Sequence, residues 1–473
     1  MKYKVGDEIG GTYKVLRILG GEGESGRGVV YVVNDGNNII ALKTIQDQYL
    51  SDETMIHAFK REALAWVHLD RHPYIVKALY VININEQPFI ALDFIAPDED
   101  DRNTLTHFME SPISLRQTLI WGIQFCHGME YSESRGISPH RDIKPDNIMI
   151  STEGNIKITD YGLAMFLGQE QTVTDWRDLA EQGQLGLSFL RVSKGEEIGG
   201  TVPWMPAEQF EGQTDVRSDI YSFGIVLYQM VNNGRLPFEY GTIEDYYIAH
   251  KTEIINKFKS ALFPVIDRCL KKEQDDRYQT FLEVRKDLEK LYKKITKKTP
   301  PTPPKEKDLK ASEHNNKGVS FSNLGFPDEA IEAFKEALRV SPGYANAHNN
   351  LGLIYKKRGQ LDEAIDQFRA ALRTKGNSFT IINNLAKSLE AKGLYEEAAL
   401  EFRTVVRSAP YFMEGHYNLA RAYDKLGNYE DAIDLYKNFI EFTSSKHARH
   451  SKRAKDAKIR IKELKKLIKK KKK

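Results

Sequence analysis

Residues 136–150 read GISPHRDIKPDNIMI and set His140, Arg141, Asp142, Lys144, Asp146 and Asn147 between apolar flanks. Eighteen residues after Asp142, NIKITDYGLA (155–164) delivers Asp160 two residues ahead of a glycine. A charged loop between two buried strands would account for either segment alone. It does not account for the order of the segments around them. RHPYIV (71–76) and FIALDFI (89–95) come before, and SDIYSFGIVLYQMV (218–231) with Asp219 and DDRYQ (275–279) with Arg277 come after.

Working outward toward the N-terminus, TYKVLRIL, GVVYVVND and NIIALKTI alternate as strands do, and a helical stretch follows over 52–68. From about residue 113 the pattern is mainly helical. The glycine-rich LGGEGESGRGVVY (19–31) lies between two strand-like runs, which argues against a strand-to-helix dinucleotide turn. Taken alone it is equally a plain glycine-rich hairpin. Lys43 ends the run IALK in an otherwise apolar strand, so it must snorkel or meet an anion. Met55, Phe59, Ala63 and Trp66 form an apolar helical stripe with Glu62 on its edge, a candidate partner for Lys43. An ordinary surface pair is the alternative.

With these segments in this order, residues 13–292 resemble the eukaryotic-type protein kinases, bacterial members included. HRDIKPDN matches the catalytic loop, and DYG stands where the family has Asp-Phe-Gly. The resemblance implies roles. Lys43, held by Glu62, would bind the ATP phosphates, and Asp142 would accept the hydroxyl proton of the substrate. Lys144 would neutralise the γ-phosphate, while Asn147 and Asp160 would carry Mg²⁺, with Mn²⁺ as an alternative ion. Adenine would sit among Leu19, Val30, Ala41 and Met149, against the hinge at Asp93 and Ile95, with Leu92 as gatekeeper. Gly23, Ser25 and Gly28 would occupy the three phosphate-loop positions, a serine replacing the middle glycine.

GGTVPWMPAEQF (199–210) resembles the substrate-binding end of the activation segment. Lys144 with Thr201 is similar to the serine/threonine-type pairing, and this segment implies a protein substrate. Pro206-Ala207-Glu208 replaces Ala-Pro-Glu, with Glu208 still expected to pair with Arg277. Asp219 and Arg277 are structural expectations. The segment from Asp160 to Glu208 spans 49 residues, long for the family, and is read as holding a short extra helix. Thr172, Thr174, Ser188 and Ser193 within it are candidate phosphosites, with Arg141 the expected reader of a phosphate.

Residues 293–311 (KKITKKTPPTPPKEKDLKA) are rich in lysine and proline and read as a linker. Beyond it the sequence repeats every 34 residues. Gly325, Gly359, Gly393 and Gly427 fall in register, as do Ala330, Ala364, Ala398 and Ala432, and the aromatics Phe334, Phe368, Phe402 and Tyr436. Each unit reads as two amphipathic helices turning at the glycine, and the four copies (312–445) resemble tetratricopeptide repeats. Asn316, Asn350, Asn384 and Asn418 share the same spacing on the first helices. They are similar to the asparagine ladder of the O-linked N-acetylglucosamine transferase superhelix, which implies a groove that holds peptide backbone.

The 473 residues include 41% hydrophobic and 29% charged side chains and only two cysteines, Cys126 and Cys269. That points to a reducing, cytoplasmic location without a disulfide framework. No apolar run reaches the ~18 residues of a membrane span. The net charge of +3 conceals a basic end. Residues 446–473 carry 15 Lys/Arg against 2 Asp/Glu, and no aromatic side chain is interleaved there as nucleic-acid stacking would need. Ala454, Ile461, Leu464 and Ile468 at helical spacing suggest a basic capping helix.

The expected architecture is an α+β bilobal kinase fold (1–292, small lobe to about 95), then the linker and an all-α repeat solenoid. The expected function is ATP-dependent phosphorylation of protein serine or threonine. The repeats would recruit a peptide, a protein or a second copy of the chain. The rival is a pseudokinase scaffold acting through its repeats, against which the complete set Lys43, Glu62, Asp142, Asn147 and Asp160 argues.

Overall fold

β-Branched runs broken by short turns organise the first 93 residues. The computed structural model describes residues 2–20, 28–161, 202–304, 308–376, 378–443 and 451–471. Strands β1 (Glu8–Ile9), β2 (Tyr13–Leu19), β3 (Gly28–Asn34), β4 (Ile39–Ile45), β5 (Ala78–Ile84) and β6 (Gln87–Asp93) form an antiparallel sheet in the order β1-β2-β3-β4-β6-β5. Alternation sends Val29, Tyr31 and Val33 to one face, where they pack with Val15, Leu42 and Phe89. Helix α1 (Glu53–His68) buries the stripe Met55, Phe59, Ala63 and Trp66, and packs on β4 and β5.

The chain then turns helical: α2 (Leu105–Met109), α3 (Leu115–Ser134), the hairpin β7 (Ile148–Ile150) and β8 (Ile156–Ile158), α4 (Ala207–Phe210), α5 (Val216–Val231), α6 (Ile243–Thr252), α7 (Phe263–Cys269) and α8 (Phe281–Thr296). Phe125 of α3 stacks on Phe223 of α5 at 4.3 Å between centroids, and Phe281 of α8 closes edge-on at 5.9 Å. Asp215 and Ser218 form a reciprocal capping box that starts α5 and puts Asp219 in its first turn.

Helix α8 runs through Thr296, four residues into the segment expected to be linker. Leu288 and Tyr292 carry its buried stripe that far, Lys293 and Lys294 suit the negative end of a helix, and Lys297 stops it at φ 58°.

The chain divides into two compact units, Met1–Asp308 and Leu309–Lys473. In the second, α9 (Ala311–Leu324) pairs with α10 (Pro327–Val340), α11 (Ala345–Lys357) with α12 (Leu361–Thr374), α13 (Phe379–Lys392) with α14 (Tyr395–Ser408), and α15 (Met413–Lys425) with α16 (Tyr429–Thr443). The four registered glycines all adopt positive φ, 77–92°, at the turn between paired helices. Ala330, Ala364, Ala398 and Ala432 are fully buried, and the registered aromatics pack in the same core. A final helix, α17 (Ser451–Lys471), lays Leu464 and Ala457 on α16, with Ala454, Ile461 and Ile468 beside them.

Candidate active site

Three elements distant in sequence converge on Lys43. It lies in β4 opposite Val30 and Ile90. Its Nζ stands 2.6 Å from Glu62 Oε1 on α1 and 2.9 Å from Asp160 Oδ1 beyond β8. Burial works against the Lys43 charge, yet Asp160 and Glu62 outweigh it and hold its pKa above the ordinary lysine range. Burial opposes ionisation of Asp160 too, but the Lys43 ammonium keeps that carboxyl below its usual value. Glu62, only 3% exposed, is the carboxylate whose pKa burial raises, with Lys43 pulling it back. The strand lysine therefore does not snorkel; it meets two anions.

The residues of HRDIKPDN assemble around Asp142, which is buried. Asn147 Nδ2 donates to Asp142 Oδ2 and to its main-chain oxygen, both at 2.8 Å. Lys144 Nζ is 3.3 Å from Asp142 Oδ1. The loop is held from below by Asp219, which accepts the main-chain N–H of His140 at 2.6 Å and of Arg141 at 2.9 Å. Arg141 (φ 69°) and Asp160 (φ 62°) both occupy left-handed backbone, a cost that the surrounding hydrogen bonds must offset. Arg141 Nε donates to Thr214 Oγ1 at 2.7 Å, and Gln209 Nε2 to the Arg141 carbonyl at 2.7 Å.

Beside this cluster, Ala41 pairs with Leu92 across β4 and β6, and Val30 lies on the neighbouring strand. Asp93 ends β6, Ile95 accepts a bond from Asn103 Nδ2 at 3.0 Å, and Met149 sits in β7. Leu19 closes β2 and Gly28 opens β3. Arg277 grips Glu208 through both Nη atoms (2.5 and 3.2 Å) and donates to the carbonyls of Lys271, Lys272 and Arg217. The Pro206-Ala207 order leaves this pair intact. Gly23, Ser25, Thr201, the candidate phosphosites Thr172, Thr174, Ser188 and Ser193, and the expected extra helix lie outside the described residues.

Sequence reasoning placed Trp66 on the apolar stripe but missed its bond to Glu62. Its indole N–H points to Glu62 Oε1 at 3.4 Å, and its ring meets Tyr161 edge-on at 5.1 Å. The (i, i+4) spacing of Glu62 and Trp66 was the signal. Tyr161, the tyrosine of DYG, is buried against His140 at 4.5 Å.

The asparagine ladder also proved to be more than a row. Asn350 Nδ2 donates to Asn315 Oδ1 (2.9 Å), Asn384 to Asn349 (3.1 Å) and Asn418 to Asn383 (3.2 Å). Each bond spans consecutive first helices and uses one N–H of a carboxamide that has two, plus an oxygen. The preceding residues Asn315, Asn349 and Asn383 keep the same 34-residue spacing, a register open to inspection in the sequence.

Comparison with known proteins agrees with this geometry. The tetratricopeptide repeat family matches residues 315–378 and 383–445. Serine/threonine-protein kinase PknB of Mycolicibacterium smegmatis is 31% identical over 267 residues, covering 54% of this chain and 39% of that protein. PrkC of Bacillus subtilis, also named a serine/threonine-protein kinase, is 29% identical over 240 residues, 50% of this chain and 32% of its own. A Clostridium perfringens protein named "Probable serine/threonine-protein kinase" is 28% identical over 301 residues, 61% of this chain and 39% of its own. The match thus spans about one third to two fifths of these relatives' length. The protein kinase domain family matches residues 13–311, well over half of the sequence and the whole of the site around Lys43 and Asp142, and the chain belongs to that family.

Proposed function

We propose that the chain transfers the γ-phosphate of ATP to serine or threonine hydroxyls of proteins, and that its repeats recruit the partner. The observation that carries this is the meeting of Lys43, Glu62 and Asp160 beside the Asp142–Lys144–Asn147 cluster. A phosphoryl-transfer site needs positioned charge more than covalent chemistry, and these groups supply it.

The donor set fits a hard cation. Asn147 commits its Nδ2 to Asp142, so its Oδ1 is the atom turned to a metal, and Asp160 adds a carboxylate. A bound Mg²⁺ would neutralise phosphate charge. Lys43 holds the α- and β-phosphates, its charge maintained by two carboxylates. Asp142, oriented by Asn147, accepts the hydroxyl proton, and Lys144 balances the charge that builds beside it. Val30, Ala41, Leu92 and Met149 enclose the base.

Among the described residues no helix is long and apolar enough to cross a membrane. The two cysteines are free and buried, which favours a reducing, cytoplasmic setting.

The test is phosphate incorporation by the full chain with Mg²⁺ and labelled ATP, into itself and into a generic basic protein. Asp142→Asn should lower the rate by about 10²–10⁴-fold. Indistinguishable background rates for both forms would overturn the enzyme reading and leave the scaffold.

A further inference from the structure

Helix α17 (Ser451–Lys471) has two unlike faces. At about 100° per residue, Ala457, Ile461, Leu464 and Ile468 share the face that packs on α16. The opposite face is lysine. All eight lysines from Lys452 to Lys470 are exposed, and Lys455, Lys458, Lys462, Lys466 and Lys469 follow one another in steps of three and four residues. They line most of a helix about 30 Å long. The ion pairs of α17 belong to its arginines. Arg460 grips Asp424 of α15 at 2.7 and 2.9 Å and reaches Glu463 at 2.6 Å, while Arg453 stands 3.7 Å from Glu414. Among the described residues none of the eight lysines has a carboxylate within ion-pair distance.

Other exposed faces of the repeat unit mix their signs. On α10 Lys335 pairs with Glu332 and Arg339 with Glu336, and on α16 Lys437 pairs with Asp434. Such (i, i+3) pairs support a helix, whereas like charges three and four residues apart repel. The lysine face of α17 repels itself, and an external polyanion would relieve that. Two features decide which polyanion. Nucleic acid is held by arginine forks and stacked aromatics, but both arginines of α17 turn to the acids of α15 and the helix has no aromatic residue. Ile459, 59% exposed, lies amid the lysines, with Leu467 exposed on the flank. An apolar side chain among lysines suits a bilayer interface, where ammonium groups meet phosphate headgroups and the apolar group reaches the acyl boundary.

We propose that the outer face of α17 docks on the anionic lipid surface of a bilayer, with its lysines among the headgroups and Ile459 at the acyl boundary. The binding is peripheral, reversible and dependent on salt, and it needs no spanning helix. It stands independently of the peptide-recruiting reading, because neither the ladder asparagines nor the kinase unit takes part.

The experiment is co-sedimentation of the full chain with vesicles of phosphatidylcholine, pure or with about one third phosphatidylglycerol. The chain should pellet with the anionic vesicles only, and be released as salt rises from about 50 to 300 mM. Each lysine near such a surface strengthens binding roughly fivefold. Lys455→Gln, Lys458→Gln, Lys462→Gln and Lys466→Gln together should therefore weaken it by about a hundredfold or more, with the helix kept because glutamine is a good helix former. Arginine at the same four positions should preserve binding. Ile459→Ser should weaken it by about three- to tenfold, and far-UV melting would confirm that each variant folds. Equal pelleting with neutral vesicles, or none with anionic ones at about 50 mM salt, would overturn the proposal. So would tighter binding to a DNA duplex of about 20 base pairs that Ile459→Ser leaves untouched, which would make the partner a nucleic acid.

Discussion

In the kinase unit Lys43 meets carboxylates 19 and 117 residues away, in a cluster that occurs once. In the repeat unit Asn350, Asn384 and Asn418 each reach back 35 residues to a like partner, three times over. The first arrangement concentrates charge in a buried place held by strained backbone. The second spreads modest neutral bonds along a regular face. A unique, desolvated contact has no substitute when lost, whereas a repeated one shares its load with its neighbours.

That contrast can be tested most severely at Arg277. Its guanidinium is 1% exposed, satisfied by Glu208 and three carbonyls, and lies 4.7 Å over the Tyr221 ring. Arg277→Met should cost about 3–5 kcal/mol, because it takes the cation from the Glu208 carboxylate, which keeps only the Ser218 hydroxyl at 3.0 Å, and the guanidinium donor from those carbonyls. The repeat-unit counterpart is Arg358 with Asp328, an exposed pair at 2.7 Å. Arg358→Ala should cost no more than about 1 kcal/mol. Urea midpoints of both variants decide it, and equal losses would break the comparison.

A smaller effect is expected from acid. Burial lowers the His72 pKa from 6.5 to about 4, helped by His127 and Lys157, and its ring stacks on Tyr131 at 4.6 Å. The unfolded chain therefore binds more protons between those values. Stability from this group is complete above pH 6.5 and is lost as pH falls through 4, to a total of about 3 kcal/mol. His72→Gln should flatten the fall in unfolding free energy over that window. An unchanged slope would remove His72 as its source.

The sharpest test within the repeats concerns one methyl group. A Cβ on Gly352 would come within 2.7 Å of the Phe368 ring, yet repeats three and four carry Ala386 and Ala420 at the same position. Gly352→Ala should destabilise by about 1–3 kcal/mol through overpacking, and Ala386→Gly by about 1 kcal/mol through helix propensity. A gain in stability from Gly352→Ala would show that propensity outweighs packing there.

Most of the candidate site was legible because the kinase family's motifs set particular side chains at particular chain distances. Asp142, Asn147 and Asp160 stood out as polar residues set among apolar ones. Lys43 and Glu62 were each conspicuous as a charge on an apolar element, which made them candidate partners, and the fold brings them to 2.6 Å. Trp66 was harder to see. An aromatic on a buried stripe looks like packing, and its indole bond to Glu62 depends on side-chain direction. The extent of α8 was misjudged because lysines at a helix end look like linker composition. The ladder's spacing was visible, but its bonding partners were not, since adjacency of first helices is a tertiary fact.

That ladder has a direction. Asn350, Asn384 and Asn418 each donate to the repeat before, where the acceptor is the asparagine one position ahead of the ladder residue. In the last repeat that position holds Tyr417, which has no amide oxygen to offer. Like a growing polymer whose end group has been capped, the array presents no acceptor for another unit on that side, and α17 packs there instead. The line of bonds therefore stops at Asn418: a fifth copy grafted after the fourth would need Tyr417→Asn to extend it.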